Sequence, residues 1–525
     1  MTVSPLHTTH PARSFRRVAL LILLVMATLP HRAATARTAS ATGPRDSYPT
    51  AFTTIDGTTY FTTRFTPPAA GLWKTTSGAP AGTGASLVRA LEAPPSALTA
   101  AGPLLFFITA TAQHGAELWR SDGTAAGTRL VRDINAGPEG SNPIHLTAVG
   151  DRLFFVVPAG PGAGLWISDG SAAGTIPLTA GAGIHQALVQ DLTPVGSLLY
   201  FVIPMGSTHA GLWVSDGTPA GTIPLTTHLD QTGEQDPLEL TAVGSRLFFS
   251  LTTESLGEEL WVSDGTAATT RLVKDIRPGG RYSSSLPNEL TAVGDTLYFR
   301  AVDDSNGLEL WRSDGTAAGT WIVAERPGMA SLSPSIIATI GNRFFFIAEE
   351  EFEQGALWHS DGTTAGTGPV WGEGDNTPRI AQTMVVGERL IWFTLESQVW
   401  GSDGTAAGTS MIRDFGVGGI DGFNDGASWQ GLGFFRVTME NTGSELWRTD
   451  GTRAGTAMVA DINPGPGSSR VLELTAAGDQ VLFAADDGVH GLALWRTNGT
   501  SQGTWMVANL APDNMVQVYV PLVSR

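Results

Sequence analysis

The stretch Glu117–Thr128, ELWRSDGTAAGT, recurs letter for letter at Glu309–Thr320. Looser copies share Leu or Val before a tryptophan, then Ser/Thr-Asp-Gly-Thr and, in most copies, a closing Gly-Thr. Successive copies are 42 to 50 residues apart, and a regular period of this length indicates a solenoid, a propeller or an array. The ten tryptophans that mark the copies are Trp73, Trp119, Trp166, Trp213, Trp261, Trp311, Trp358, Trp400, Trp447 and Trp495.

Each repeat has the pattern of four short strands. In residues 146–176, apolar runs at Leu146–Val149, Leu153–Val157 and Gly164–Ser168 are separated by the turn pairs Gly150-Asp151 and Asp169-Gly170, and a fourth strand begins at Thr175. These turn residues tolerate the positive φ angles of two-residue hairpins. After residue 40 no stretch shows a sustained helical period. Four-stranded antiparallel units repeated radially are the blades of a β-propeller.

The sequence therefore predicts an all-β propeller of about ten four-stranded blades over residues 48–510, with about 47 residues per blade. No linker interrupts the array, which favours one closed ring over two five-bladed rings. Ten blades exceed the usual four to eight, so two rings are kept as the alternative.

The two ends of the chain differ from the repeats. Residues 1–36 contain four arginines, three of which precede the 12-residue apolar run Val18–Leu29, and small residues that resemble a cleavage site follow that run. This order predicts a secretory signal peptide, followed by a linker over 37–47. The apolar run is shorter than the roughly 20 residues of a membrane span, and no later segment is long enough for one. We therefore expect a mature chain that is secreted or held at the cell surface, without a membrane span. The tail 511–525 is expected to serve sorting or an accessory role rather than closure of the ring.

Composition excludes several classes of function. The net charge is −18, and loss of residues 1–36 would lower the basic count from 31 to 27 against 49 acidic residues, giving −22. A strongly acidic chain is unsuited to neutralising the phosphates of nucleic acids. The absence of cysteine excludes disulfides, thiolate metal sites and cysteine nucleophiles. None of the seven histidines beyond residue 36 lies in a zinc-protease motif, and no hydrolase elbow or phosphate-binding loop is present.

Residues 71–504 resemble the ELWxxDGT repeat family of large secreted and surface bacterial proteins. The resemblance includes the companion segments Val273–Ile276, Asp461–Gly465 and Ala485–Gly491, and the repeat is also similar to the blades of TolB-type propellers. It implies a propeller and no catalytic activity. Three copies depart from the pattern: the first lacks the aspartate, the fifth has Thr269-Thr270 for Gly-Thr, and the tenth has Asn498 for aspartate.

Residues that recur ten times are more consistent with architecture than with a single active site. We expect the tryptophans to fill the core between blades, with an aromatic sugar-stacking ring as the alternative. An aspartate before glycine can accept a backbone N–H two residues on and fix the turn, with metal binding as the alternative. These aspartates are Asp122, Asp169, Asp216, Asp264, Asp314, Asp361, Asp403 and Asp450.

Variable acidic connections between the second and third strands, and from each fourth strand to the next blade, are predicted to share one face and to hold the ligand-binding positions, because binding residues concentrate in variable loops on a rigid scaffold. The candidates are Asp303, Asp304, Glu349, Glu350, Asp486 and Asp487. We predict a non-enzymatic scaffold for an extracellular protein or carbohydrate, without a cofactor and with at most weak Ca²⁺ binding. A secreted hydrolase or lyase acting on glycans is the alternative.

Overall fold

The computed structural model describes residues 46–63, 70–78, 81–82, 84–179, 189–204, 210–226, 237–325, 331–350, 353–372, 380–416, 419–420 and 426–510. The predicted signal peptide, the C-terminal tail and the oxygen-rich stretch Asp421–Asp425 lie outside the described residues. The described residues form forty strands in ten four-stranded antiparallel sheets and contain no helix, so none of their elements is a helix able to cross a membrane.

The first five blades each use four strands that follow one another along the chain. Blade 1 consists of β1 (Pro49–Ile55), β2 (Thr58–Thr63), β3 (Gly71–Thr76) and β4 (Ala85–Ala90). Blade 2 consists of β5 (Ser96–Ala101), β6 (Leu104–Thr111), β7 (Gly115–Ser121) and β8 (Arg129–Leu130). Blade 3 consists of β9 (Ile144–Val149), β10 (Arg152–Val157), β11 (Gly164–Ser168) and β12 (Ile176–Pro177). Blade 4 consists of β13 (Gln190–Val195), β14 (Leu198–Ile203), β15 (Gly211–Ser215) and β16 (Ile223–Pro224). Blade 5 consists of β17 (Leu238–Val243), β18 (Arg246–Thr253), β19 (Gly257–Ser263) and β20 (Arg271–Lys274).

The last five blades repeat the same strand order. Blade 6 consists of β21 (Asn288–Val293), β22 (Thr296–Asp303), β23 (Gly307–Ser313) and β24 (Trp321–Ala324). Blade 7 consists of β25 (Pro334–Ile340), β26 (Arg343–Glu350), β27 (Glu353–Ser360) and β28 (Gly368–Trp371). Blade 8 consists of β29 (Ile380–Val386), β30 (Arg389–Thr394), β31 (Gln398–Ser402) and β32 (Ser410–Asp414). Blade 9 consists of β33 (Ala427–Trp429), β34 (Leu432–Met439), β35 (Gly443–Thr449) and β36 (Ala457–Ala460). Blade 10 consists of β37 (Leu472–Ala477), β38 (Gln480–Asp486), β39 (Leu492–Thr497) and β40 (Trp505–Ala508).

The ten sheets form one ring, which confirms the predicted ten-bladed propeller and shows that the two-ring alternative is wrong. The first strand of each blade contacts the first strand of the next, and β37 contacts β1. Apolar clusters fill every gap between consecutive blades, and the cluster that joins blade 10 to blade 1 contains Leu482, Leu494 and Val507 with Phe61 and Trp73. The second strands are buried on both faces, as at Phe154 and Phe155, because a blade lies on either side.

Among the described residues, backbone hydrogen bonds contribute to ring closure, and no strand is exchanged between the first and last blades. Ser47 N donates to Leu492 O at 2.6 Å, in the segment just before β1. At the outer edge, Gly82 N donates to Met506 O at 2.9 Å and Gly84 N donates to Val507 O at 3.0 Å. Each of the ten described sheets consists of four consecutive strands.

Strand order gives the ring two different faces. The connections between first and second strands and between third and fourth strands lie on one side, which we call the turn face. The connections between second and third strands, and from each fourth strand to the next blade, lie on the other side, which we call the loop face. Ion pairs across the loop face agree with this topology: Arg277, after β20, lies 2.7 Å from Asp304, after β22.

Candidate functional site

The repeated Ser-Asp-Gly-Thr turn uses its polar groups on itself. Asp122 Oδ1 accepts hydrogen bonds from Thr124 N at 2.9 Å and Thr124 Oγ1 at 2.7 Å. Ser121 Oγ accepts Gly123 N and lies 2.7 Å from the hydroxyl of the closing Thr128. The Thr124 hydroxyl and amide hold the pKa of the Asp122 carboxyl below its usual value. The bond from the amide two residues on recurs at Asp169, Asp216, Asp314, Asp361, Asp403, Asp450 and Asn498.

The glycine of this turn is needed for its backbone conformation, and it also lies close to the preceding blade. Gly170 has φ +86°, a conformation that costs little only for glycine, and a Cβ there would lie 2.6 Å from Leu104 Cδ1 of the preceding blade. The turn of one blade is therefore also a contact with the blade before it.

The repeat tryptophans lie between blades, and several of them contact a basic residue of the preceding blade. Trp166 is 5% exposed and stacks on Phe155 of its own blade at 6.3 Å between ring centroids. The Arg132 guanidinium of blade 2 lies 5.6 Å from the Trp166 ring and donates to Thr175 O at 2.7 Å. Lys274 makes the same pair of contacts with Trp311 and Thr320 O, and Arg413 with Trp447 and Thr456 O. The tryptophan, the closing threonine and the basic residue of the companion segment therefore form one inter-blade joint.

Four buried glutamates were missed by the sequence reasoning. They are the first residue of the motif in the copies that retain it, they are at most 1% exposed, and they are Glu117, Glu259, Glu309 and Glu445. Glu259 accepts Ile276 N at 3.1 Å, Ser285 N at 3.2 Å and Ser285 Oγ at 2.6 Å. Each therefore holds the connection to the next blade on the loop face. The sequence does contain a pattern that marks these glutamates: an acidic residue follows each of them by 16 positions, as Asp275 follows Glu259.

Burial raises the pKa of Glu259, Glu309 and Glu445 to about 7. Of the three carboxyl groups, that of Glu309 accepts the fewest hydrogen bonds. Its Oε1 accepts Leu332 N at 3.2 Å, and among the described residues its Oε2 has no hydrogen-bond partner. The nearby charges of Glu325 and Asp303 add to the effect of burial on the Glu309 pKa.

We expect the melting temperature to fall as the pH rises from 5 to 8. The folded chain retains protons on these glutamates where the unfolded chain, with a pKa near 4.5, has lost them, so stability decreases through that window. Glu309→Gln should make the melting temperature depend less steeply on pH. The free energy of unfolding should then change between pH 5 and 8 by on the order of 1–3 kcal/mol less than in the parent. Calorimetric scans at several pH values test this. An unchanged slope in the variant would contradict it.

The acidic residues predicted from the sequence all lie at connections between second and third strands, yet in different blades. Asp303 Oδ1 accepts Ser305 N and Asn306 N and so caps its own turn in blade 6. In blade 10, Asp486 Oδ1 accepts Gly488 N, and Asp487 Oδ2 lies 2.7 Å from His490 Nδ1. Asp304 is 64% exposed and is paired with Arg277. Glu349 and Glu350 end β26 in blade 7.

The structure does not bring these candidates together into one cluster. Within the described ranges, no three His, Asp or Glu residues are grouped so as to hold a metal ion.

A set of residues in left-handed backbone conformation, four of them acidic, borders the centre of the ring. The first strands of seven blades contain a bulge at which a residue other than glycine has positive φ, and these residues are Ala51, Ala97, His145, Asp191, Glu239, Glu289 and Glu473. The threonine two residues on often bonds the bulge carbonyl, as Thr241 Oγ1 does to Glu239 O at 2.9 Å. Glu289 pairs with Arg300 at 3.2 Å. The bulges lie near the start of each first strand and therefore toward the loop face.

No family profile matches this sequence, and no curated protein matches it. Among solved structures, the computationally designed protein Ika8 is 11% identical, with 79% of this chain and 96% of that chain covered and a TM-score of 0.33. The tricorn protease is 10% identical, with 88% and 48% covered and a TM-score of 0.31, so this chain spans about half of its length. The β-propeller domain of the Trilobed protease from Pyrococcus furiosus is 12% identical, with 63% and 100% covered and a TM-score of 0.27. At these identities no activity is transferred.

Proposed function

We propose that the chain is a secreted or surface-attached, non-enzymatic binding scaffold of ELWxxDGT repeats whose ligand docks on the loop face. The observation that carries the proposal is that the repeated residues and the variable residues have different positions and contacts. The repeated Ser, Asp and Thr side chains bond the backbone and hydroxyls of their own turn. Residues that differ between blades lie on the loop face, where a rigid scaffold commonly presents its binding residues.

The ligand is expected to be an extracellular protein or a carbohydrate. A net charge of −18 disfavours polyanions, including nucleic acids. Exposed acids at loop-face connections, such as Asp304 and Glu396, would contribute to recognition of basic or hydroxyl-rich groups.

The purified chain should be tested on an array of oligosaccharides and extracellular proteins. We expect saturable binding that is weakened when the loop-face residues Glu139, Glu396 and Glu440 are changed to serine. The matched control changes three exposed acids of turn-face hairpins, Asp151, Asp295 and Asp479, and should bind normally. The proposal would be refuted if the parent chain bound no arrayed ligand, or if the loop-face and turn-face variants lost binding equally. Consumption of an arrayed glycan would instead favour the hydrolase or lyase alternative.

Export has its own test. Residues 1–47 fused to a reporter should direct the reporter out of a bacterial cell, and retention in the cytoplasm would contradict the predicted signal peptide.

Calcium is expected to bind weakly and at several positions. Carboxylate oxygens suit Ca²⁺, and the chain carries 49 acidic residues, but no loop in the sequence has the spacing of a dedicated calcium site. Titration calorimetry should therefore show shallow heats without a defined stoichiometry, together with a modest rise in melting temperature. A single stoichiometric site of submicromolar affinity would contradict this expectation.

A further inference from the structure

The connection from blade 5 to blade 6 is longer than its counterparts. In the connections after blades 2 and 9, eight positions separate Asp133 from Ser141 and Asp461 from Ser469. Each of these two serines bonds the start of the third strand of its own blade. Ser141 N donates to the carboxylate of the buried Glu117, and Ser469 N donates to the carbonyl of Ser444, the residue before the buried Glu445. In the connection after blade 5, Ser285 has both kinds of bond, and it lies ten positions after Asp275. The two additional positions fall in a segment that contains Arg281 and Tyr282.

This longer connection is held firmly on the scaffold. Ser283 N donates to Gly280 O at 2.8 Å and closes the turn that contains Tyr282. Glu258 N donates to Ser284 Oγ at 2.9 Å, and Ser285 N donates to Glu258 O at 3.0 Å. These bonds fix the backbone on both sides of Tyr282, so little conformational entropy would be lost when a ligand docks on its ring.

Tyr282 itself is 89% exposed, and in the described part of the chain no other aromatic side chain is as exposed. The Arg281 guanidinium carbon lies 5.7 Å from the centroid of the tyrosine ring. Arg281 is in turn fixed by both carboxylate oxygens of Glu254, each 3.2 Å from Nη1. The site thus combines an open aromatic face with an ordered donor and an ordered acceptor.

We propose that Tyr282 is the stacking platform of a binding site for a neutral pyranose sugar, an inference that rests on the proposed binding function and names its ligand class. The C–H face of a pyranose carries partial positive charge and complements the negative face of an aromatic ring. Its hydroxyls both donate and accept, which matches Arg281 as donor and Glu254 as acceptor. A stable protein partner would need about 800 Å² on each side with an apolar centre, whereas the side chain that contacts this ring, Arg281, is charged and is paired with the charged Glu254.

The test is electrophoresis of the purified full chain through native gels that contain dextran, mannan or galactan. We expect at least one polymer to retard the chain. Tyr282→Ala should weaken that retardation about tenfold or more, while Tyr282→Phe, which keeps the ring, should stay within about threefold of the parent. Leu286→Ser is the matched control, because it removes an exposed apolar side chain from the same connection. Leu286→Ser should migrate like the parent, and melting curves should show that all variants remain folded.

Each outcome bears on the inference. No retardation by any of the three polymers, or equal retardation of the parent and Tyr282→Ala, overturns it. Equal loss in Tyr282→Ala and Leu286→Ser would show that retardation depends on the whole connection rather than on the tyrosine ring, and it also overturns the inference. The proposed scaffold function fails on a different result: it is refuted if the chain binds no arrayed ligand, or if binding does not depend on the loop-face acids.

Discussion

Replacing Trp311 by alanine is expected to lower the free energy of unfolding by about 3–5 kcal/mol, the usual range for truncation of a buried aromatic. Trp311 is 5% exposed and packs in the apolar cluster between blades 5 and 6, beside Phe248 and Phe299. Its indole N–H donates to Ala301 O at 3.2 Å, and the Lys274 ammonium lies 5.4 Å from its ring. Truncation would remove the apolar contacts, the hydrogen bond and the cation–π contact together.

Denaturant titration followed by circular dichroism measures this change. Trp311→Phe is the control, because it keeps a ring in the cluster and should lose less stability. The expected result is a destabilised scaffold without selective loss of one ligand. A variant of parental stability that has lost ligand binding would instead assign Trp311 to a sugar-stacking site.

The ten-bladed ring could be predicted because its determinants are local and repeated. The Gly150-Asp151 pair specifies a two-residue hairpin, since Val149 pairs with Arg152, and the apolar second strands require cover on both faces. The prediction of a two-residue hairpin at Asp169-Gly170 was wrong, because β11 ends at Ser168 and β12 begins only at Ile176, so this pair opens a longer connection. Repetition then multiplies a weak local signal ten times. The number of rings was harder to predict, since closure depends on Ser47 and Gly84 meeting blade 10, and neither residue carries a sequence signal for that contact.

The features on the loop face were less predictable because they depend on contacts between segments far apart in the chain. Glu259 is an ordinary acidic residue in the sequence, and only folding places it under Ser285, 26 residues later. The bulge at Glu239 is equally hidden, because a left-handed glutamate is disfavoured locally and is imposed by the sheet. The predicted acids, Asp303 among them, were assigned to the right kind of connection, but their distribution over separate blades follows from the ring.

Two glycines of nearly equal φ allow the contribution of packing between loop-face connections to stability to be measured separately from the cost of a left-handed backbone. Gly115 begins β7 with φ +61°, and Gly150 lies in the hairpin of blade 3 with φ +59°. A Cβ on Gly150 would meet nothing within 4 Å, whereas a Cβ on Gly115 would lie 2.5 Å from Gly140 N and 2.7 Å from the Glu139 carbonyl carbon. The neighbours of Gly115 are backbone atoms, which cannot move aside as a flexible side chain would.

Gly150→Ala should therefore cost about 1–2 kcal/mol for the left-handed conformation alone. Gly115→Ala should cost that amount and about 1–3 kcal/mol more, because the connection that carries Gly140 must shift away from blade 2. That connection also supplies Asn135 N and Ser141 N to the buried Glu117 carboxylate, so its displacement would leave a buried acceptor without donors. Denaturant titration of both variants under the same conditions gives the difference directly. Equal losses in the two variants would mean that the second–third loop of blade 2 does not depend on its packing against the connection to blade 3. A larger loss at Gly115 would show that the second–third loop of blade 2 and the connection to blade 3 stabilise each other on the loop face.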